Sequence, residues 1–180
     1  MKMLKTITLK LAGFNHIISM VGLWIASALI GGMAVLVVTQ VFFRYVLNNS
    51  LSWAEDLSLM LLVYSAFLII PYAYRWSLHV GIDLIVNMLP ARVGFALYFL
   101  SGLAVITLAI YFIEVSWAFT IRSSIMANAV PIKMKYVYAI MPVMFTFLIP
   151  SALELQFRSL IGLIEPDDPE ARLTQHISEN

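Results

Sequence analysis

Apolar residues fill four long stretches of this chain, and polar residues gather in the short segments between them. The stretches cover residues 17-43, 53-74, 93-117 and 136-157. Each meets the roughly 20 residues that a helix needs to cross the hydrocarbon core of a bilayer. Backbone N–H and C=O groups find no water there, so a helix is the element that satisfies them. The pattern predicts an all-α integral membrane protein with four transmembrane helices. They form one membrane domain over residues 1-165, followed by a polar tail over 166-180.

A shorter segment between the second and third stretches follows a different rule. Over residues 77-89, Leu78, Ile82, Ile85 and Leu89 recur at helical spacing, while His79, Asp83 and Asn87 fall on the other side. That predicts an amphipathic helix lying flat on the membrane surface. Pro90 separates it from the next span, because proline cannot continue the hydrogen-bond ladder.

The junction from Gln40 to Asp56 joins the first two spans. Phe42, Phe43, Tyr45 and Trp53 bracket it, as amphipathic rings favour the membrane–water boundary. Asn48, Asn49 and Ser50 supply turn chemistry. Ser52 and Glu55 have capping-box spacing, which predicts a helix beginning at Trp53. Glu55 and Asp56 would face the positive end of that helix. Arg44 stands at the end of the first span, close enough in sequence to pair with Glu55 or Asp56. An exposed pair of this kind contributes at most about 1 kcal/mol.

Composition and charge agree with a membrane location. Of 180 residues, 62% are hydrophobic and 12% charged, so the chain has too little polar surface to cover itself in water. The net charge of +1 comes from scattered residues, which gives no footprint for nucleic acid. The absence of cysteine excludes disulfides, thiolate metal sites and thiol catalysis. Lys2, Lys5 and Lys10 resemble the charged start of a signal peptide, but the apolar run that follows is too long, so it reads as an uncleaved first helix. With the N-terminus cytoplasmic, seven cations lie inside: Lys2, Lys5, Lys10, Arg75, Arg92, Arg158 and Arg172. Four lie outside, namely Arg44, Arg122, Lys133 and Lys135. That excess places both termini in the cytoplasm.

Polar residues within the spans carry the remaining functional signals. Glu114, near the outer end of the third span, reads as a partner of Arg122 or Arg44, as a side chain snorkelling to the interface, or as a proton- or ion-coupling carboxylate. Glu154 and Arg158 have the spacing of a stabilising helix pair. Pro142 and Pro150 are expected to bend the last span. His16, His79 and His176 lie outside the spans, which argues against a haem held inside the bundle. Ala26, Ala28, Gly31, Gly32 and Ala34 allow close helix approach, either within the bundle or to a second polypeptide. No nucleophile triad, phosphate loop or zinc motif is present, so no enzyme activity and no cofactor are expected.

Taken in order, several of these features resemble the small membrane subunit of TRAP transporters, the DctQ-like family. They are Arg44 closing the first span, Trp53-x-Glu55 opening the second, and Arg75 followed by His79-x-x-x-Asp83 after it. The resemblance implies a scaffold subunit in the inner membrane of a bacterium, with Arg44, Trp53, Glu55, Asp56, Arg75, His79 and Asp83 as structural or interface residues. It implies two protein partners, a large membrane subunit and a periplasmic substrate-binding protein. Together they would import an organic acid on a sodium gradient, with sodium bound in the large subunit and an elevator-like movement there. Membrane lipid is the remaining partner. Beyond the resemblance, Arg44, Arg122, Lys133 and Lys135 are placed to help dock an acidic face of the binding protein. The competing classes are the small subunit of a tripartite tricarboxylate transporter, a membrane anchor of a respiratory complex, and a self-sufficient small carrier or channel. Four continuous, apolar spans without a repeat argue against the last.

Overall fold

The computed structural model describes residues 2-76 and 89-164. Its order is α1 (Lys2–Tyr45), α2 (Ser52–Leu68), α3 (Ile70–Trp76), α4 (Ala91–Arg122), α5 (Met134–Tyr138) and α6 (Ile140–Ile164). Among the described residues there is no strand, only an isolated bridge between Met126 and Lys133. The interfacial helix expected over 77-89, with His79 and Asp83, lies outside the described residues except for Leu89, and so does His176. Three helical stretches are long and apolar enough to cross a membrane: α1, α4, and α5 with α6. A fourth crossing results if α2 and α3 are one span.

The helices run past the boundaries that hydropathy sets. α1 extends unbroken from Lys2 through the whole first apolar run, because lysine and threonine continue a helix once it has nucleated. α4 reaches Arg122, which shortens the link before α5 to residues 123-133.

The second span is not the continuous helix expected. It bends by 41° between α2 and α3. Pro71 is the cause: it has no N–H for the Phe67 carbonyl, and its ring crowds the preceding turn. Regular bonding resumes when the Ala73 N–H reaches the Ile69 carbonyl at 2.8 Å. Pro142 acts alike on the last span, where the helix breaks at Ala139 between α5 and α6. Pro150, by contrast, lies inside continuous α6.

The capping box is also absent. Leu51 is the residue that precedes the helix, and no side-chain cap bond forms. Ser52 is already helical, so its hydroxyl is not in the extended cap position from which it could reach the N–H of Glu55. The turn chemistry holds: Asn48 takes φ of 50°, a left-handed conformation that asparagine tolerates.

Packing follows small residues and antiparallel neighbours. α4 lies along α6, with Gly102 against the side chain of Gln156 and Gly162 against Phe95. α1 meets α2 at Gly22, where a Cβ would fall 2.6 Å from the Leu68 carbonyl oxygen. Only glycine allows the backbones so close. Tyr74, Ala109, Leu148 and Ala152 form the centre of the apolar core.

Candidate functional site

The described polar residues converge where α1, α3 and α6 meet. Glu154 and Arg158 are one turn apart on α6, and the guanidinium donates twice to the Glu154 Oε1, from Nε at 3.2 Å and Nη2 at 3.1 Å. The pair expected from the spacing therefore forms, but it is part of a larger assembly. Asn15 of α1 donates from Nδ2 to Glu154 Oε2 at 2.8 Å and to the Pro150 carbonyl at 3.0 Å. Arg75, at the end of α3, brings its Nη2 to 3.6 Å from Glu154 Oε1. Asn15, Glu154 and Arg158 are 1%, 5% and 6% exposed, so the junction is removed from solvent and lipid alike.

Each helix places its side chain for a stated reason. The Pro71 bend turns α3 relative to α2 and brings Arg75 to α6. α1 carries buried Asn15 just before its apolar stretch and, one turn on, buried Ser19 just inside it. On α6, Ser151, Glu154, Arg158 and Ser159 are all buried, an inward polar stripe on an otherwise apolar helix. Gln156 faces α4 instead and donates to the Phe99 carbonyl at 2.8 Å. A carboxylate buried in this way is stabilised only when its lone pairs are met by donors; here Asn15 and Arg158 donate to it, and Arg75 adds a second cation at 3.6 Å. The arrangement fastens three helices to one another.

Asn15, Ser19 and Gln156 escaped the sequence reading. The available signal was a pair of polar residues four apart, Asn15 just before the first apolar run and Ser19 just inside it. Arg75 and Glu154 were each singled out, but not as partners of one another.

The other predicted residues divide between two places. Asp56 does not pair with Arg44; its Oδ2 accepts the Ala129 N–H at 2.6 Å, tying the 123-133 link to the start of α2. The guanidinium of Arg44 lies 5.8 Å from the ring centre of Tyr45, and among the described residues no ion pair joins it to Glu55 or Asp56. Trp53 and Glu55 are exposed. Arg122 and Lys133 are exposed at the two ends of the link, and Lys135 sits 5.1 Å from the ring centre of Tyr136. Tyr64 donates to the Tyr136 carbonyl at 2.9 Å, which holds α5 on α2. A cavity of about 220 Å³ lies beneath the link, lined by Met60, Val63, Met126, Met134 and Tyr138 among others. Glu114 pairs with neither Arg122 nor Arg44 among the described residues. Arg122 lies eight residues farther on, about 12 Å along the axis, out of its reach. Among the described residues, no group of His, Cys, Asp and Glu is disposed to hold a metal ion.

The small residues of α1 separate into two groups. Ala26 is fully buried within the bundle, while Ala28, Gly31, Gly32 and Ala34 are exposed.

A bundle of long apolar helices, with its buried charges used to tie those helices together, defines a multi-pass α-helical membrane protein. The chain belongs to a transport family, the DctQ component of the tripartite ATP-independent periplasmic transporters, whose family model matches residues 33–161. The match takes in Arg75, Glu154 and Arg158, while Asn15 precedes it. A putative TRAP transporter small permease protein of Haemophilus influenzae (strain ATCC 51907 / DSM 11121 / KW20 / Rd) is 32% identical over 85 residues, 47% of this chain and 53% of that protein. The sialic acid TRAP transporter permease protein SiaT of Haemophilus influenzae (strain 86-028NP) is 31% identical over 70 residues, 39% of this chain and 11% of that protein. The chain thus spans about half the length of the first relative, 53%, and about a tenth of the second, 11%.

Proposed function

We propose that this chain is the fixed membrane scaffold of a tripartite, sodium-driven importer of organic acids. Its partners are a large permease subunit, which holds substrate and sodium and moves by an elevator-like mechanism, and a periplasmic binding protein. The observation that carries the scaffold role is the Glu154 junction, where Asn15, Arg75 and Arg158 lock α1, α3 and α6 together. A brace needs such internal ties, since buried polar networks rigidify the elements they join. Membership of the DctQ family supports the assembly, and the name of the SiaT relative makes sialic acid the first substrate to try.

In this reading the chain crosses the bacterial inner membrane four times, α2 and α3 being one bent span. Both termini are cytoplasmic. The link carrying Arg122, Lys133 and Lys135 then faces the periplasm and steers an acidic face of the binding protein, an effect on association rate that salt weakens.

The test is uptake into proteoliposomes. The large subunit, this chain and the binding protein together should accumulate an organic acid in a sodium gradient, and omitting this chain should abolish accumulation. Uptake by this chain alone would overturn the scaffold reading. Reversing Arg122, Lys133 and Lys135 to glutamate should slow uptake when binding protein is limiting; unchanged uptake removes the docking role.

A further inference from the structure

The side-chain amide of Asn15 can point only one way. Its Nδ2 gives its hydrogens to two acceptors, the Pro150 carbonyl at 3.0 Å and Glu154 Oε2 at 2.8 Å. Turning the amide over would set Oδ1 against the carboxylate, acceptor against acceptor, so Oδ1 is held on the opposite side. There it meets no hydrogen-bond partner among the described residues, although Asn15 is 1% exposed. A buried acceptor left unmet is destabilising, so this position calls for a donor.

One turn along α1, Ser19 poses the matching problem. Ser58, Ser65 and Ser159 are also buried on helices, and each hydroxyl donates to a carbonyl three or four residues back. The Ser19 hydroxyl, 2% exposed, makes no such bond and has no other partner among the described residues. Residues four apart share one face of a helix, with Cβ atoms about 5–6 Å from each other. The two polar atoms do not meet directly, but one water at about 2.8 Å from each spans such a gap.

We infer that Asn15 Oδ1 and Ser19 Oγ hold a buried water, which completes the junction around Glu154. The water donates to Asn15 Oδ1 and accepts the hydrogen of the Ser19 hydroxyl. Buried waters keep two to four polar partners, so the pair suffices. The surroundings suit it. Ser151 of α6, one turn from Glu154, is also small and buried. The second span breaks close by, where the Leu68 carbonyl reaches α1 at Gly22, three residues beyond Ser19. Where proline breaks a membrane helix, hydroxyls and ordered waters meet the polar groups that the break releases.

Charge and burial exclude other occupants. A metal ion would need the carboxylate, but Oε1 already takes Arg158 and faces Arg75, while Oε2 takes Asn15. Two neutral oxygens do not hold a cation beside two guanidinium groups. An anion has no hydrogen to give to Oδ1. Atoms so deeply buried are out of reach of another subunit, so the site belongs to this chain and does not rest on the scaffold reading.

The test is a structure of the chain in its native complex at a resolution that shows ordered water, joined to Ser19→Ala. Density for one oxygen within about 3 Å of both Asn15 Oδ1 and Ser19 Oγ is expected. Ser19→Ala separates the readings by sign. If the hydroxyl anchors a water, its loss should lower the unfolding temperature in detergent by about 2–4 °C, one net hydrogen bond in a chain of this size. If the hydroxyl has no partner, alanine removes an unmet polar group, and a temperature that holds or rises overturns the site. A direct contact between Ser19 and Asn15, with no density between them, overturns it too. Exchanging sodium for potassium should leave the unfolding temperature unchanged. A sodium-specific rise that Ser19→Ala abolishes makes the occupant a cation and rules out the water.

Discussion

Asn15 and Glu154 are 139 residues apart in sequence, yet the amide of one donates to the carboxylate of the other at 2.8 Å. Both are almost wholly buried, and the same carboxylate receives Arg158 and Arg75. A single acid on the last helix therefore gathers the first helix and the bent end of the second span. In a membrane, helices gain little by hiding apolar surface from lipid, so packing and polar ties of this kind set their arrangement.

Removing the acid leaves the two cations without it. Glu154→Ala should destabilise the chain by about 3–5 kcal/mol, the cost of breaking a buried pair. Thermal unfolding in detergent measures it. Asn15→Ala should cost less, about 1–3 kcal/mol, as one buried hydrogen bond to a charged group. The double variant should fall short of the sum, because the two residues share one contact.

Pro71→Ala restores the missing N–H and should straighten the joint between α2 and α3. Arg75 would then swing away from Glu154. The chain has no cysteine, so spin labels can be placed at Leu59 and Trp76 with no background site to remove. The distance between them should lengthen by a few Å, and an unchanged distance would assign the bend to packing instead of proline.

Gly22 and Gly31 lie on the same helix and should respond oppositely. Gly22→Ala puts a methyl group 2.6 Å from the Leu68 carbonyl oxygen and should force α1 from α2, at about 1–3 kcal/mol. Gly31→Ala meets nothing within 4 Å and should leave the isolated chain as stable as before, or slightly more so. Paired unfolding curves decide it.

Asp56→Asn should loosen the link between α4 and α5. The amide of Ala129 loses a charged acceptor at an exposed site, a change of about 1 kcal/mol. Hydrogen exchange at Ala129 should speed severalfold, while exchange within α6 stays as it was.

Several elements were legible because they follow from local chemistry. The apolar runs, the Asn48 turn and the Glu154–Arg158 pair depend on residues close in sequence, and each is present. The errors also have local causes. The capping box failed because helix α2 starts at Ser52, one residue before the cap geometry allows. Span 2 was taken as straight because its hydropathy is continuous, and hydropathy does not register the missing N–H of Pro71.

The sequence by itself determined the solvent, the number of long apolar runs and the family, since these rest on composition and on the order of motifs. Only the tertiary structure decided the partners. It gave Asp56 to Ala129 instead of Arg44, brought Asn15 and Arg75 to Glu154, and left Glu114 bare. Period and propensity state which face of a helix is apolar or polar, but not which distant helix will lie against it. That choice depends on backbone approach at Gly22 and Gly102, on the bend at Pro71, and on the need of each buried charge for a donor or acceptor.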